Sequence, residues 1–169
     1  MDIKNLHNKF LECNSIIDID SRSIRNGSMF FAIKGDNFDG NKFANEALKK
    51  GAKVAVIDSN EINFNNNDNI IKVDDSLKAL QNLALFHRKS FKSIILAITG
   101  SNGKTTTKEL IHSVLSTSYK TISTDGNYNN HIGVPLSLLR IKNDTEFSVI
   151  ELGANNFGEI DFLTKIAEP

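Results

Sequence analysis

One cysteine, Cys13, is all the chain has, which excludes an internal disulfide and fits a reducing compartment such as the cytoplasm. Cys13 reads as a small packing residue rather than a nucleophile. Net charge is lacking too. Twenty Lys and Arg stand against 20 Asp and Glu, with a pI near 6.9, so composition gives no ground for a nucleic-acid or membrane-surface binder. No apolar run reaches transmembrane length, so no membrane insertion is expected. The stretch Met1-Asp2-Ile3-Lys4-Asn5 lacks the basic-then-apolar signature of a signal peptide. Arginine is scarce beside lysine and asparagine, which reads as coding bias without functional content. The histidines, His7, His87, His112 and His131, show no metal-ligand spacing. His87 and His112 are expected on helix surfaces, and His131 alone stands next to a candidate site.

What is present is ordinary globular material, 40% apolar and 24% charged, in a chain long enough for one or two domains with a real core. Short β-branched runs alternate with helical patterns. Ile16–Ile19, Met29–Ile33, Val54–Ile57 and Ile70–Val73 read as strands. Phe43, Ala44, Ala47 and Leu48 share a helical face that stops at Gly51, and Asn63–Asn69 is a polar loop. Asp74, Asp75 and Ser76 offer cap oxygens to a helix with Leu77, Leu80, Leu83, Ala84 and His87 on one side. Later strands are expected at Ile94–Ile98, Lys120–Ser123 and Phe147–Leu152. Helices are expected after Gly103, with an apolar face of Leu110, Ile111, Val114 and Leu115, at Val134–Leu139, and from Gly158. The alternation predicts an α/β fold with mostly parallel sheets. The basic stretch Arg88–Lys92 is the expected joint, dividing an amino-terminal domain, residues 1–90, from a second domain, residues 91–169. The second domain shows only three clear strands and stops just after a helix, so it reads as truncated and the chain as a fragment.

The most informative segment runs from Ile94 to Thr107. A β-branched strand ends in Thr99-Gly100-Ser101-Asn102-Gly103-Lys104-Thr105-Thr106, and a helical pattern begins at once. Glycines let backbone N–H groups converge on one anion, and the helix adds its positive end. Gly100 to Thr106 (Gly100, Ser101, Asn102, Gly103, Lys104, Thr105 and Thr106) therefore read as a phosphate cradle. In it Lys104 faces the β/γ-phosphates of a nucleoside triphosphate and the Thr105 hydroxyl can ligate Mg²⁺. The full G-x-x-x-x-G-K pattern would place a glycine where this chain has Ile98, so the loop is shorter. The competing reading is a strand-to-helix turn that happens to contain Gly-Lys-Thr.

Three further groups carry chemistry. Asp20-Ser21-Arg22 follows a strand, with Gly27, Phe30–Gly35 and Asp39-Gly40-Asn41 downstream. Hydroxyl, guanidinium and N–H groups there suit a diphosphate or a base, and a capped turn is the alternative. Asn127–Pro135 is a polar loop entering a helix; its amides can donate to phosphate or carboxylate oxygens, or serve as an Asx turn and cap. Glu151 ends an apolar strand, where a P-loop protein holds Mg²⁺, unless it is a solvated strand end.

Together these residues resemble the Mur ligases of bacterial cell-wall synthesis. The Thr99–Thr106 loop is similar to that family's own short P-loop. The Asp20-Ser21-Arg22 segment with Gly27, Phe30–Gly35 and Asp39-Gly40 resembles the family's amino-terminal domain, which receives the UDP end of the substrate. Asn127–Pro135 and Glu151–Ile160 resemble the member that acts last in the series. The Ser- and His-containing stretch that the preceding ligase carries after the strand glutamate is absent. Folylpolyglutamate synthases share the P-loop type but lack the amino-terminal domain. Asn41 stands where family members often have His, and the family's architecture continues past Pro169.

The resemblance implies a small amino-terminal UDP-binding domain followed by a truncated P-loop-type parallel-sheet ATP-binding domain. It implies an ATP- and Mg²⁺-dependent ligase that joins D-Ala-D-Ala to UDP-MurNAc-tripeptide through an acyl phosphate. Such an enzyme is cytoplasmic and monomeric, with no nucleic-acid partner, and this stretch alone would not turn over. Lys104, Asn129 and Asn130 would be catalytic, Thr105 and Glu151 would hold the metal, and Ser21, Arg22, Lys34, Gly35 and Asn41 would contact the UDP moiety. Two other readings stay open. One is a nucleotide- or UDP-sugar-binding module without turnover. The other is a P-loop ATPase with an unrelated partner, against which the Asp20-Ser21-Arg22 domain argues.

Overall fold

A computed structural model of the chain describes residues 2–35, 38–59 and 68–169. The expected polar loop lies outside them as far as Asn67. By internal contacts the chain divides into two compact units, residues 1–80 and 81–169.

The first unit opens with α1 (Ile3–Glu12) and holds a parallel four-stranded sheet. Its strands are β1 (Ile17–Asp18), β2 (Met29–Phe31), β5 (Val54–Ile57) and β6 (Ile70–Lys72), hydrogen-bonded in the order β1-β2-β5-β6. Phe30 lies opposite Ala55, and Val56 opposite Ile71. A short antiparallel hairpin, β3 (Lys34–Gly35) and β4 (Phe38–Asp39), leads through a 3₁₀ turn at Gly40–Phe43 into α2 (Ala44–Lys49). All four residues of β5 are buried, as a continuous apolar run requires when both faces of a parallel sheet are covered. Phe30, Ala55 and Ile57 pack with Ala44 and Ala47 of α2, and alanines on the helix let it approach the sheet closely. Cys13 is fully buried, which raises its thiol pKa and fits packing rather than reactivity. The unit ends within α3 (Ser76–Lys89), whose start is capped by Asp75 Oδ1 accepting from Lys78 N at 2.8 Å.

The second unit is built on three parallel strands, β7 (Ile94–Ile98), β9 (Phe147–Glu151) and β8 (Thr121–Ser123), with β9 in the middle. Ile98 lies opposite Glu151, so the strands' carboxyl ends share one edge, where open α/β sheets bind ligands. Helices α4 (Lys104–Leu115), α5 (Gly133–Leu138) and α6 (Glu159–Ala167) complete it. Arg88, in the stretch read as a joint, donates to the carbonyls of Phe91, Ala167 and Glu168 at 3.2 Å each. It thereby meets the carbonyl-rich carboxyl end of α6.

Two expectations are corrected. The apolar stripe on α4 is covered only in part: Ile111 and Leu115 are half-buried, but Leu110 is 63% and Val114 69% exposed. The residue α4 buries fully is Lys108, and Leu110 lies about 200° round the helix from it. His87 is not on a surface either. It is 1% exposed, its Nε2 lies 2.9 Å from the Ile141 carbonyl, and its ring packs on Phe91 at 4.6 Å. A carbonyl only accepts, so Nε2 carries the proton there.

Candidate functional site

The site grows from the end of β7. After Ile98 the chain turns through Thr99–Gly103, and Gly103 takes φ +77° directly before α4. That conformation is costly for any residue with a Cβ. The turn aims the free N–H groups of α4's first turn back over the loop, where an anion is stabilised. Lys104 arches over the same loop, with Nζ donating to the Gly100 carbonyl at 2.7 Å.

Thr105 reaches the end of β9. Its hydroxyl donates to Glu151 Oε2 at 2.9 Å, and Asn129 Nδ2 donates to Oε1 at 2.8 Å. Glu151 is 1% exposed, so it is no solvated strand end. Its own N–H donates to Thr124 Oγ1 at 2.9 Å. Asn129 is fixed from behind by Gly153, whose N–H donates to the Asn129 carbonyl at 2.8 Å. A Cβ on Gly153 would sit 2.8 Å from Asn129 Cγ, so the close approach needs glycine. Asn130 is used differently: its Oδ1 accepts from Ile132 N at 3.0 Å and Gly133 N at 2.9 Å, capping α5.

Lys104, Asn129, Asn130 and Gly153 border a cleft of about 370 Å³ whose lining also includes His131, Asn155 and Glu159. The Glu159 carboxylate is held below its ordinary pKa by the Asn156 amide and then by the N–H groups of Asn155 and Asn156. Thr105 and Glu151 supply hydroxyl and carboxylate oxygens, the donors that a hard divalent cation takes. A buried carboxylate bonded to a hydroxyl and an amide also has a charge that a cation would compensate. No cluster of three or more His, Cys, Asp or Glu that could hold a metal occurs among the described residues, and Mg²⁺ is ordinarily held by one or two carboxylates with waters and phosphates.

In the first unit, Asp20 closes on Arg22. Its carboxylate accepts from the Arg22 guanidinium at 2.6–3.1 Å and from the Arg22 N–H at 2.9 Å, which lowers its pKa to about 2. Ser21 is buried, and its carbonyl accepts from Lys50 Nζ at 2.9 Å. Lys34 and Asn41 meet on Asp58, with Lys34 Nζ at 2.8 Å and Asn41 Nδ2 at 2.9 Å from Oδ1. Asn41 is 1% exposed; it also donates to Asp39 Oδ1 at 2.7 Å and accepts from Asp58 N at 3.0 Å. Its amide thus ties β4 to the end of β5. Asp58 Oδ2 accepts from Ser76 N at 3.1 Å. Gly35 ends β3 in the hairpin. Asp58, Thr124 and Lys108 escape a sequence reading. The available signals are a carboxylate just past a strand, a hydroxyl just past another, and a lysine four residues after the loop lysine.

A parallel sheet, a glycine-bearing turn with lysine and threonine at a helix start, and a carboxylate at the end of the neighbouring strand define the class: an α/β protein with a P-loop-type turn. Comparison with known proteins narrows this. Residues 15–88 match the Mur ligase family catalytic domain, and residues 98–169 match the Mur ligase middle domain. The chain belongs to the Mur ligase family. The UDP-N-acetylmuramoyl-tripeptide–D-alanyl-D-alanine ligase of Bacillus subtilis is 42% identical over 150 residues, covering 89% of this chain and 33% of the relative. The protein of that name from Rickettsia prowazekii is 39% identical, covering 94% of this chain and 35% of the relative. Among solved structures, MurF from Acinetobacter baumannii superposes with a TM-score of 0.82 at 39% identity, over 90% of this chain and 33% of that one. MurF from Thermotoga maritima, solved in complex with ADP, gives 0.78 at 36% identity, over 90% and 35%. The chain therefore spans about a third of the length of the curated relatives it matches. Among the described residues, no helix is long and apolar enough to cross a membrane.

Proposed function

We propose that this chain is the UDP-binding and nucleotide-binding part of an ATP-dependent amide ligase of peptidoglycan synthesis. The ligase joins D-Ala-D-Ala to UDP-MurNAc-tripeptide. The observation that carries the reading is the meeting of Thr105 and Asn129 on the buried Glu151 carboxylate beside the Lys104 loop. The names of the relatives support the substrate assignment.

A carboxylate acylates poorly because it would have to expel oxide. Transfer of the ATP γ-phosphoryl group to the tripeptide carboxylate gives an acyl phosphate, and the dipeptide amine then displaces phosphate. Such chemistry depends mainly on positioning and charge stabilisation. Loop N–H groups of Gly100–Thr106 cradle the phosphates. Lys104 swings from the Gly100 carbonyl to the β/γ-phosphate oxygens. Thr105 and Glu151 would hold Mg²⁺, which would supply charge neutralisation for the transferred phosphoryl group. Asn129 and Asn130 line the acceptor side near the γ-phosphate, with Asn129 orienting Glu151. Ser21, Arg22, Lys34, Gly35 and Asn41 form the UDP end, where Lys34 is the direct cationic contact and Asn41 acts through Asp58. The reading takes the enzyme to be cytoplasmic, where ATP and UDP-sugars are found, and to be a monomer.

Phosphate release decides the reading, measured on a protein that carries this stretch at the length of its relatives, with Mg-ATP and UDP-MurNAc-tripeptide. Release is expected only with D-Ala-D-Ala present, and Lys104→Ala is expected to abolish it while leaving the circular dichroism spectrum unchanged. Release indifferent to the dipeptide, or unchanged in Lys104→Ala, overturns it.

A further inference from the structure

Lys108 is the one fully buried lysine among the described residues, at 0% exposure. Its ammonium donates to the Thr124 carbonyl at 2.6 Å and pairs with Glu109 Oε1 at 2.8 Å. Burying an ammonium is expensive unless its partners are well placed, and a methionine or leucine would fill such a helix position without that cost. The partner is informative. Thr124 follows β8, is 1% exposed, and donates its N–H to the Val149 carbonyl at 3.0 Å, continuing the pairing with β9. Its Oγ1 then accepts the Glu151 N–H at 2.9 Å. Lys108 therefore joins α4, which carries Lys104 and Thr105 within its first two residues, to the residue that orients the backbone of Glu151.

We infer that Lys108 is a positioning residue for the cation site: by holding the Thr124 carbonyl it sets the spacing between the Thr105 hydroxyl and the Glu151 carboxylate. The inference rests on the reading of that pair as the Mg²⁺ site. It adds a residue that touches neither nucleotide nor metal. Groups that orient metal ligands alter metal affinity by about 10–100-fold when removed.

Two readouts test it on a protein that carries this stretch at the length of its relatives. The first needs no metal: amide hydrogen exchange by NMR in metal-free buffer, comparing the parent with Lys108→Met. Exchange at the Glu151 N–H is expected to rise about tenfold, with Phe147 to Ile150 changed much less. The second is the Mg²⁺ midpoint for binding a fluorescent ATP analogue, expected to rise about tenfold while affinity at saturating Mg²⁺ changes little. A uniform rise in exchange along β9, or an unmoved Mg²⁺ midpoint, overturns the inference and leaves Lys108 a packing residue. Where Lys108→Met fails to fold, Thr124→Val carries the test, since it removes the Oγ1 acceptor and keeps the shape; an unmoved Glu151 exchange rate there overturns the inference equally. If the parent chain binds no Mg²⁺-nucleotide, the metal-site reading itself fails, and that failure is separable because the exchange experiment uses neither ligand.

Discussion

Glu151 is a carboxylate taken out of water at the end of an apolar strand, with its oxygens bonded to a hydroxyl and an amide. Folding alone gives little reason for this, because isolated buried charges are costly and a neutral isostere would pack as well. Glu151→Gln keeps the shape and one acceptor oxygen while removing the charge. The variant is expected to hold its stability or gain about 1 kcal/mol, while Mg²⁺-dependent nucleotide binding weakens on the order of tenfold or more. Thermal melts beside Mg²⁺ titrations decide it: a fall of many degrees in Tm would make the carboxylate structural. The neighbouring Gly153 was visible in the sequence only as part of a motif. Its requirement becomes physical when the Asn129 side chain is seen to occupy the place of its Cβ.

At the level of elements, the strands and the loop were readable because local chemistry decides them. Val54–Ile57 is apolar throughout and is buried throughout, and Gly-Lys-Thr after a β-branched run yields the turn and helix start expected of it. Polar residues buried by distant partners were not readable. The burial of His87 and Lys108 depends on carbonyls of Ile141 and Thr124, which no spacing rule reaches. The same limit explains α4, where Leu110 and Val114 satisfy a helical period but point away from the sheet that Lys108 faces. The Asn129-Asn130 pair is an intermediate case: sequence marks both as donors or caps, and the structure divides the roles. Asn130 Oδ1 holds the first N–H groups of α5, so Asn130→Ala is expected to cost about 1 kcal/mol. Asn130→Asp keeps the cap oxygen and its stability, as urea midpoints would register. If Asn130→Asp also retains full ligase turnover, the side-chain nitrogen of Asn130 has no part in catalysis.

Across the whole molecule, the carboxylates with lowered pKa values give the chain an acid limit. Glu12, Asp20, Asp39 and Asp58 in the first unit, and Glu109 and Glu159 in the second, are all held below their ordinary values. Of these, Asp58 is the one best shielded from water, with its side chain 10% exposed. Burial pushes its pKa up, but the bonds from Lys34, the Ser76 N–H and Asn41 outweigh burial and hold it below 3.8. A carboxyl whose folded pKa is depressed binds its proton more readily in the unfolded chain. Its stabilising contribution is therefore complete above the unfolded value and is lost as pH falls through the folded one. Stability is expected to be level near neutrality and to decline below about pH 4 to 5. Asp58→Asn separates this contribution from the rest, because Asn cannot titrate and weakens the hold on Lys34 and on the start of α3. Urea unfolding at neutral pH should show the variant less stable by about 1–2 kcal/mol. The gap should narrow as pH falls, since the parent loses on acidification what the variant never had. A gap that stays constant to pH 3 would mean that Asp58 acts through packing and hydrogen-bond geometry alone, with no contribution from its charge.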